Sequence, residues 1–369
     1  MKAIITASVA SMIDQFNMNN ISILKDLGYE VHVACNFNEP GTITKERSKV
    51  LQEKLAAMGV TFFQIDFSRN VLNIFKSFKS LRQLKHLFKN NNYDLVHCHS
   101  PIGGMLTRIA AKKYRKKGLR VIYTAHGFHF YKGAPLKNWL LFYPIEKMCS
   151  RWTDLLITIN REDFDFAKKK MKAKEVEYIP GVGVDVEHFK NMQVDIIEKR
   201  ESLGVPINAK VLLSVGELNK NKNHQVVIKA LSKFDSSNYY YVIVGKGQNK
   251  NKEYLESLAK SLNVNLVLLG YRTDIAELYK VADLFILPSI REGLNVSLIE
   301  ALASGCRAIA SDIRGNRDML SASKLFAPFD VDKIASLILS LDNSEDIFYK
   351  NADVNIVNQK IKNIYSMKE

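Results

Sequence analysis

The sequence predicts an α/β protein made of two Rossmann-like, doubly wound domains that face a central cleft. Short apolar runs alternate with longer amphipathic stretches along the chain, and a Pro/Gly-marked segment interrupts the series near its middle. The chain has 369 residues, about 47% of them hydrophobic, enough for two ordinary cores.

The first series of apolar runs comprises Ala3–Ala7, Val31–Ala34, Phe62–Ile65, Leu95–Cys98, Val121–Thr124, Leu155–Ile159 and Val176–Ile179. Such runs, apolar on both faces and bounded by polar segments, read as buried parallel strands. Ile179-Pro180-Gly181-Val182-Gly183-Val184-Asp185 then breaks the pattern and leads into a polar stretch ending at Asn208. A second series follows at Val211–Val215, Tyr239–Val244, Leu266–Leu269, Leu284–Leu287 and Arg307–Ala310. The expected domains are residues 1–188 and 189–349, with a closing helix over 350–369 that packs back on the first. Open parallel sheets bind ligands beyond the carboxyl ends of their strands, and two such sheets can point those ends at one cleft.

The apolar start of the chain has a faint likeness to a secretory leader, with Ser8-Val9-Ala10 in the place of a cleavage site. Asp14, Gln15 and Asn17 follow too closely, so Ala3–Ala7 reads as a first buried strand before a turn and helix. Cys35, Cys98, Cys149 and Cys306 are scattered, without a CxxC pair. This is no disulfide framework, and a reduced, cytoplasmic protein is expected. No run approaches the roughly 18–20 apolar residues that span a bilayer.

The formal net charge is +15. Basic residues between Arg69 and Lys89 interleave with Val71, Leu72, Ile74, Phe75, Phe78, Leu81, Leu84, Leu87 and Phe88 at near-helical spacing, which predicts an amphipathic basic helix or helix pair. Lys112-Lys113-Tyr114-Arg115-Lys116-Lys117 forms a second cluster. Either is a solvated face or an attraction for anionic lipid headgroups or a polyanionic acceptor. Nucleic acid is not an expected partner, because no recognition motif accompanies the charge.

The densest constellation runs from Ile286 to Gly305: a buried strand ends at Pro288, a loop carries Glu292 and Gly293, and a helix carries Glu300. If all eight residue steps from one acid to the other were helical, they would stand about 12 Å apart, so one could reach a sugar and the other a ribose. Gly293 permits backbone N–H groups to approach a phosphate at the helix N-terminus. An ordinary solvent-facing acid pair is the alternative. Leu212 to His224 places Gly216 at a strand end and Lys220 and Lys222 in the following loop, where a lysine suits a diphosphate or is simply solvated. Val244-Gly245-Lys246-Gly247 is either a close backbone approach to a ligand or a plain turn. His126 closes a strand in Tyr123–Phe130 and is either a sugar-hydroxyl partner or a structural histidine. His97 and His99 alternate onto one face of a strand, without the further ligands a metal requires.

Together these motifs resemble the large retaining glycosyltransferase family with a GT-B fold, family 4, and within it the bacterial exopolysaccharide and capsule enzymes. Glu292 to Glu300 matches the family's E-x7-E element; Asp94–Gly104, Tyr123–Leu141 and Glu217–Asn223 carry the closer resemblance, which covers nearly the whole chain. The resemblance implies that Glu292 contacts the donor sugar, Glu300 the ribose, and Lys222 the diphosphate. It further implies that Gly293, Leu294 and Asn295 meet phosphate and sugar, that His126 is the active-site histidine of the first domain, and that Tyr271 and Arg272 lie where the nucleotide base is held.

Two departures stand out. Many members carry arginine after the glycine of the second-domain phosphate loop; here Glu217 occupies that place, so Lys222 and Lys220 must neutralise more phosphate charge. Many also have a Gly-Gly pair after the first strand, where this chain has Ser8 to Met12.

The implied reaction transfers a sugar, with retention, from a nucleotide diphosphate sugar, UDP-sugar being the expected donor. The implied acceptor is a polyprenyl-diphosphate-linked saccharide at the inner face of the cytoplasmic membrane, which the basic first domain would approach. The resemblance implies no metal, and no cofactor beyond the donor substrate is expected. A UDP-sugar epimerase of the same fold, a polyanion-binding protein and a sugar-nucleotide-binding subunit without turnover are the alternatives.

Overall fold

A computed structural model describes residues 1–68, 70, 73–340 and 350–366. The chain divides into two compact units, residues 1–182 with 355–369, and residues 183–354.

Unit 1 holds strands β1 (Lys2–Thr6), β2 (Glu30–Cys35), β3 (Thr61–Gln64), β4 (Leu95–His99), β5 (Arg120–Ala125), β6 (Leu155–Thr158) and β7 (Glu175–Tyr178). They form one sheet in the order β3-β2-β1-β4-β5-β6-β7. All pairings are parallel, with Ile4 opposite His32 on one side and Val96 on the other. Nearly every residue of β1, β4 and β5 is buried, because helices cover both faces. One core gathers Ile5, Val33, Leu51 and Leu55 around the chain's last described helix, Val354–Ser366, which inserts Val357, Ile361, Ile364 and Tyr365.

The helix Pro101–Arg115 is tied to the helix Leu136–Ser150 by a fully buried ion pair, Arg108 to Glu146 at 2.7 Å. The guanidinium also lies 3.8 Å from the centre of the Tyr123 ring, whose hydroxyl donates to Glu146. The basic stretch expected between Arg69 and Lys89 forms a single helix, Ile74–Asn90, capped by the Asn73 side chain accepting from Lys76 N at 3.1 Å. Arg69, Val71 and Leu72 lie outside the described residues.

Unit 2 holds β8 (Lys210–Val215), β9 (Tyr239–Val244), β10 (Asn265–Gly270), β11 (Leu284–Leu287), β12 (Ala308–Ser311) and β13 (Leu325–Phe326), also parallel, in the order β10-β9-β8-β11-β12-β13. β13, two residues long, was not expected, since so short an apolar pair carries no periodicity. Both sheets reverse their winding once: between β1 and β4 in unit 1, and between β8 and β11 in unit 2. The loops leaving the two strands at such a point run in opposite directions and leave a crevice at the carboxyl edge.

Candidate active site

In unit 2 the crevice lies between the loop after β8, residues 216–224, and the loop after β11, residues 288–295. Lys222 and Glu292 come from these loops and meet: Nζ donates to Oε1 at 2.8 Å, with each side chain 17% exposed. The loops are stapled beside the pair, since Ile290 N donates to Asn221 O at 2.8 Å and Asn221 Nδ2 donates to Arg291 O at 2.9 Å. Lys222 N donates to Asn219 Oδ1 at 2.9 Å, which fixes the lysine's approach. Its stem lies against Gly216, where a Cβ would stand 2.8 Å from Lys222 Cε. A partly buried ammonium held ready by a carboxylate can turn to a diphosphate when one arrives.

Gly245 shows why the loop after β9 is glycine-rich. A Cβ there would stand 1.9 Å from Gly216 O, so only glycine lets the two loops touch. Gly216 N donates to Val244 O and Gly245 N to Gly270 O, both at 2.8 Å, which knits the ends of β8, β9 and β10 into one floor. The other wall needs Gly315 (φ +64°), where a Cβ would come within 2.3 Å of Gly293 O.

Gly293 and Leu294 are half-buried and precede the helix Val296–Ala303. Asn295 is its N-cap, accepting from Ser297 N at 3.0 Å and from Ser297 Oγ at 2.5 Å, so its side-chain oxygen is spent on the helix. The first turn carries no acid and keeps its positive end for an anion. Only the second half of the Glu292–Glu300 spacing is helical, so the 12 Å separation expected for an all-helical spacing does not apply. Glu292 goes to Lys222, whereas Glu300 accepts from Tyr279 OH at 3.0 Å. Burial raises the Glu300 carboxyl above its ordinary range, and the Tyr279 hydroxyl offsets this only in part.

The remaining expected residues spread outward. Tyr271 is exposed, with Lys246 Nζ 4.8 Å from its ring centre. The Arg272 guanidinium is taken by Asp274, with Nε donating at 2.8 Å, and Asp274 also pairs with Lys199. Lys220 is not at the Lys222–Glu292 pair; it lines an open concavity of about 510 Å³ with Glu217, Lys246 and Lys250. Glu217 is exposed and accepts from Asn219 Nδ2 at 2.9 Å.

In unit 1 the corresponding edge carries histidines. His126 follows β5, and its Nε2 stands 3.1 Å from Nδ1 of His99 at the end of β4. The His99 ring lies on that of His97, centroids 4.2 Å apart. His97 is fixed at both nitrogens, by Tyr365 OH at 2.6 Å and Thr124 Oγ1 at 2.8 Å. Burial pushes His97 down to about 3 and His126 to about 4, with His99 well below its usual value, so all three are neutral at pH 7. Ser100, directly after His99, sits at φ 67°, ψ 149°, a conformation that costs about 1–3 kcal/mol outside glycine. At the place of the missing Gly-Gly pair, Ser8 Oγ accepts from Gly103 N at 2.9 Å. Sequence reasoning gave no role to Tyr279 and Tyr365 and weighed His99 only as a metal ligand. The His97/His99 alternation was a usable signal for His99; no local pattern marks the two tyrosines.

The chain thus consists of two α/β units, the second with a glycine-floored crevice beside a helix N-terminus, an arrangement that suits a phosphorylated ligand. Comparison with known proteins gives the particular family. A model of glycosyl transferases group 1 matches residues 195–359, and one of glycosyl transferase 4-like proteins matches residues 8–160. EpsD of Bacillus subtilis (strain 168), which bears the name of a glycosyltransferase, is 36% identical over 323 residues, 86% of this chain and 81% of its own. The Escherichia coli UDP-Gal:alpha-D-GlcNAc-diphosphoundecaprenol alpha-1,3-galactosyltransferase is 29% identical over 376 residues, 96% of this chain and 93% of its own. Among solved structures, Anabaena HepE in complex with UDP and glucose aligns with a TM-score of 0.74 at 18% identity, over 99% of this chain and 100% of that one. The chain belongs to the group 1, GT4-like glycosyltransferases, and its fold is GT-B.

Proposed function

We propose that this glycosyltransferase moves a sugar, with retention, from a UDP-sugar to a polyprenyl-diphosphate-linked saccharide in exopolysaccharide or capsule synthesis. The observation that carries the reading is the Lys222–Glu292 pair at the winding reversal of unit 2. Lys222 and the N-terminal turn of Val296–Ala303 take the charge that grows on the departing diphosphate, without a metal or other cofactor. Lys220 assists from the flank. Glu292, released from Lys222, accepts from donor-sugar hydroxyls. Glu300 accepts from the ribose, Gly216, Gly245, Gly293, Leu294 and Asn295 frame the phosphates, and Tyr271 with the Arg272 backbone borders the base.

The C1–O bond to the diphosphate breaks as the acceptor oxygen bonds to C1 from the same face. The departing phosphate oxygen takes the acceptor's proton, so no protein nucleophile is required. The E. coli and Campylobacter jejuni relatives are named for diphospho-undecaprenol-linked acceptors, which supports the acceptor class. HepE was solved with UDP and with UDP-glucose, which supports the uridine donor.

On this reading the protein works on the cytoplasmic face of the membrane, bound peripherally through unit 1. No helix among the described residues is long and apolar enough to cross a bilayer. The helix Ile74–Asn90 presents Ile74, Phe75 (90% exposed) and Phe78 beside Lys76 and Lys79, and Leu136–Ser150 presents Leu136 and Leu140 beside Lys137. Exposed apolar side chains flanked by lysines suit an anionic leaflet, with Lys76 and Lys79 shared with Glu39 and Asp66. Incubation with UDP-sugars and a synthetic polyprenyl-diphosphate saccharide should give an elongated lipid whose new anomeric carbon keeps the donor's configuration by NMR. An inverted product would rule out the same-face course, and free monosaccharide without elongated lipid would rule out the acceptor class.

A further inference from the structure

We propose that His99 is a positioning residue: by donating its Nδ1–H to His126 Nε2, it locks His126 as the Nδ1–H tautomer, a hydrogen-bond donor towards bound sugar. The tautomer claim stands on geometry alone; its use towards a sugar rests on the transferase reading above.

His99 Nδ1 and His126 Nε2 stand 3.1 Å apart, and exactly one proton belongs between two neutral rings. Two assignments are possible. If His126 donates, His99 must carry its own proton on Nε2, which is buried without a partner. That strands an N–H in the interior, the rarer and costlier kind of orphan. If His99 donates, Nε2 keeps only a bare lone pair, and no donor is stranded. The second assignment leaves His126 protonated at Nδ1, which has no protein partner among the described residues.

The ring that makes this choice is itself held in place. His99 lies against His97, and His97 is clamped between Thr124 on β5 and Tyr365 on the helix Val354–Ser366. A residue distant in sequence thus supports the face that orients His126. In this state His126 offers a proton to a sugar oxygen and does not take one, so its part is binding geometry rather than base catalysis.

Ring 15N shifts of the full chain, labelled at histidine, test the tautomer directly. The expected result is a protonated Nδ1 and a bare Nε2 for His126. A protonated Nε2 on His126 would overturn the proposal. His99→Asn keeps an N–H donor near the place of Nδ1, whereas His99→Leu removes it. In His99→Leu, His126 should shift towards the Nε2–H form, and kcat with the UDP-sugar should fall about tenfold at little change in acceptor KM. His99→Asn should keep both the tautomer and the rate. An unchanged His126 tautomer in His99→Leu would also overturn the proposal. If the wild-type protein shows no transfer at all, the transferase reading fails while the NMR result still decides the tautomer.

Discussion

Glu217, which accepts from Asn219 Nδ2, stands where an arginine is expected, so on the proposed reading Lys222 answers more of the phosphate charge. Lys222→Ala should lower kcat/KM by about 10²–10³-fold, the size of one lost transition-state donor. Its melting temperature should change little, since a partly solvated pair contributes at most about 1 kcal/mol. Turnover and thermal unfolding of the same preparation separate the two effects. Glu300 gives a pH signature. Its carboxyl is raised by burial, so the folded state holds the proton more tightly than the unfolded chain. The associated stability is full below the ordinary 4.5 and is lost as pH rises through the folded value. Glu300→Gln carries no such charge. Near neutral pH its melting temperature should match or exceed the wild type's, while UDP affinity falls roughly 10- to 100-fold. A variant that loses stability and keeps affinity would contradict the ribose role.

At the scale of elements, the strands were readable because two-sided burial leaves unbroken apolar runs such as Val121–Thr124 and Leu284–Leu287. The loops after β8 and β11 were readable because glycine, lysine and carboxylate cluster there. The Lys222–Glu292 contact itself was not, since 70 residues separate the partners and only the sheet order brings them together. The same holds for Tyr365 and His97, 268 residues apart. Nothing in the local sequence marks Arg108, which is buried against Glu146 and Tyr123. Arg108→Ala should therefore destabilise the fold by about 3–5 kcal/mol in urea titrations, because it strands the Glu146 charge in the interior. Ile361→Ala on the helix Val354–Ser366 should cost about 2–5 kcal/mol by the same measurement, since that side chain completes the core of unit 1 rather than covering its surface.

For the whole molecule, histidine burial sets the acid limit. His97 at about 3 and His126 and His224 at about 4 are all held below the ordinary 6.5 by burial. Their contribution to stability is present above 6.5 and is lost as pH falls towards 4, so calorimetric melting temperatures should drop steeply across that interval. A flat profile there would mean that these rings are not buried neutral. On the proposed reading, unit 2 binds a nucleotide diphosphate sugar through Lys222. Titration calorimetry of UDP-, GDP- and dTDP-sugars against the wild-type protein and Lys222→Ala tests it most directly. Saturable binding of the UDP series, reduced at least tenfold in Lys222→Ala, is the predicted result. Equal affinity in both proteins would contradict the placement of the donor phosphates between the loops after β8 and β11.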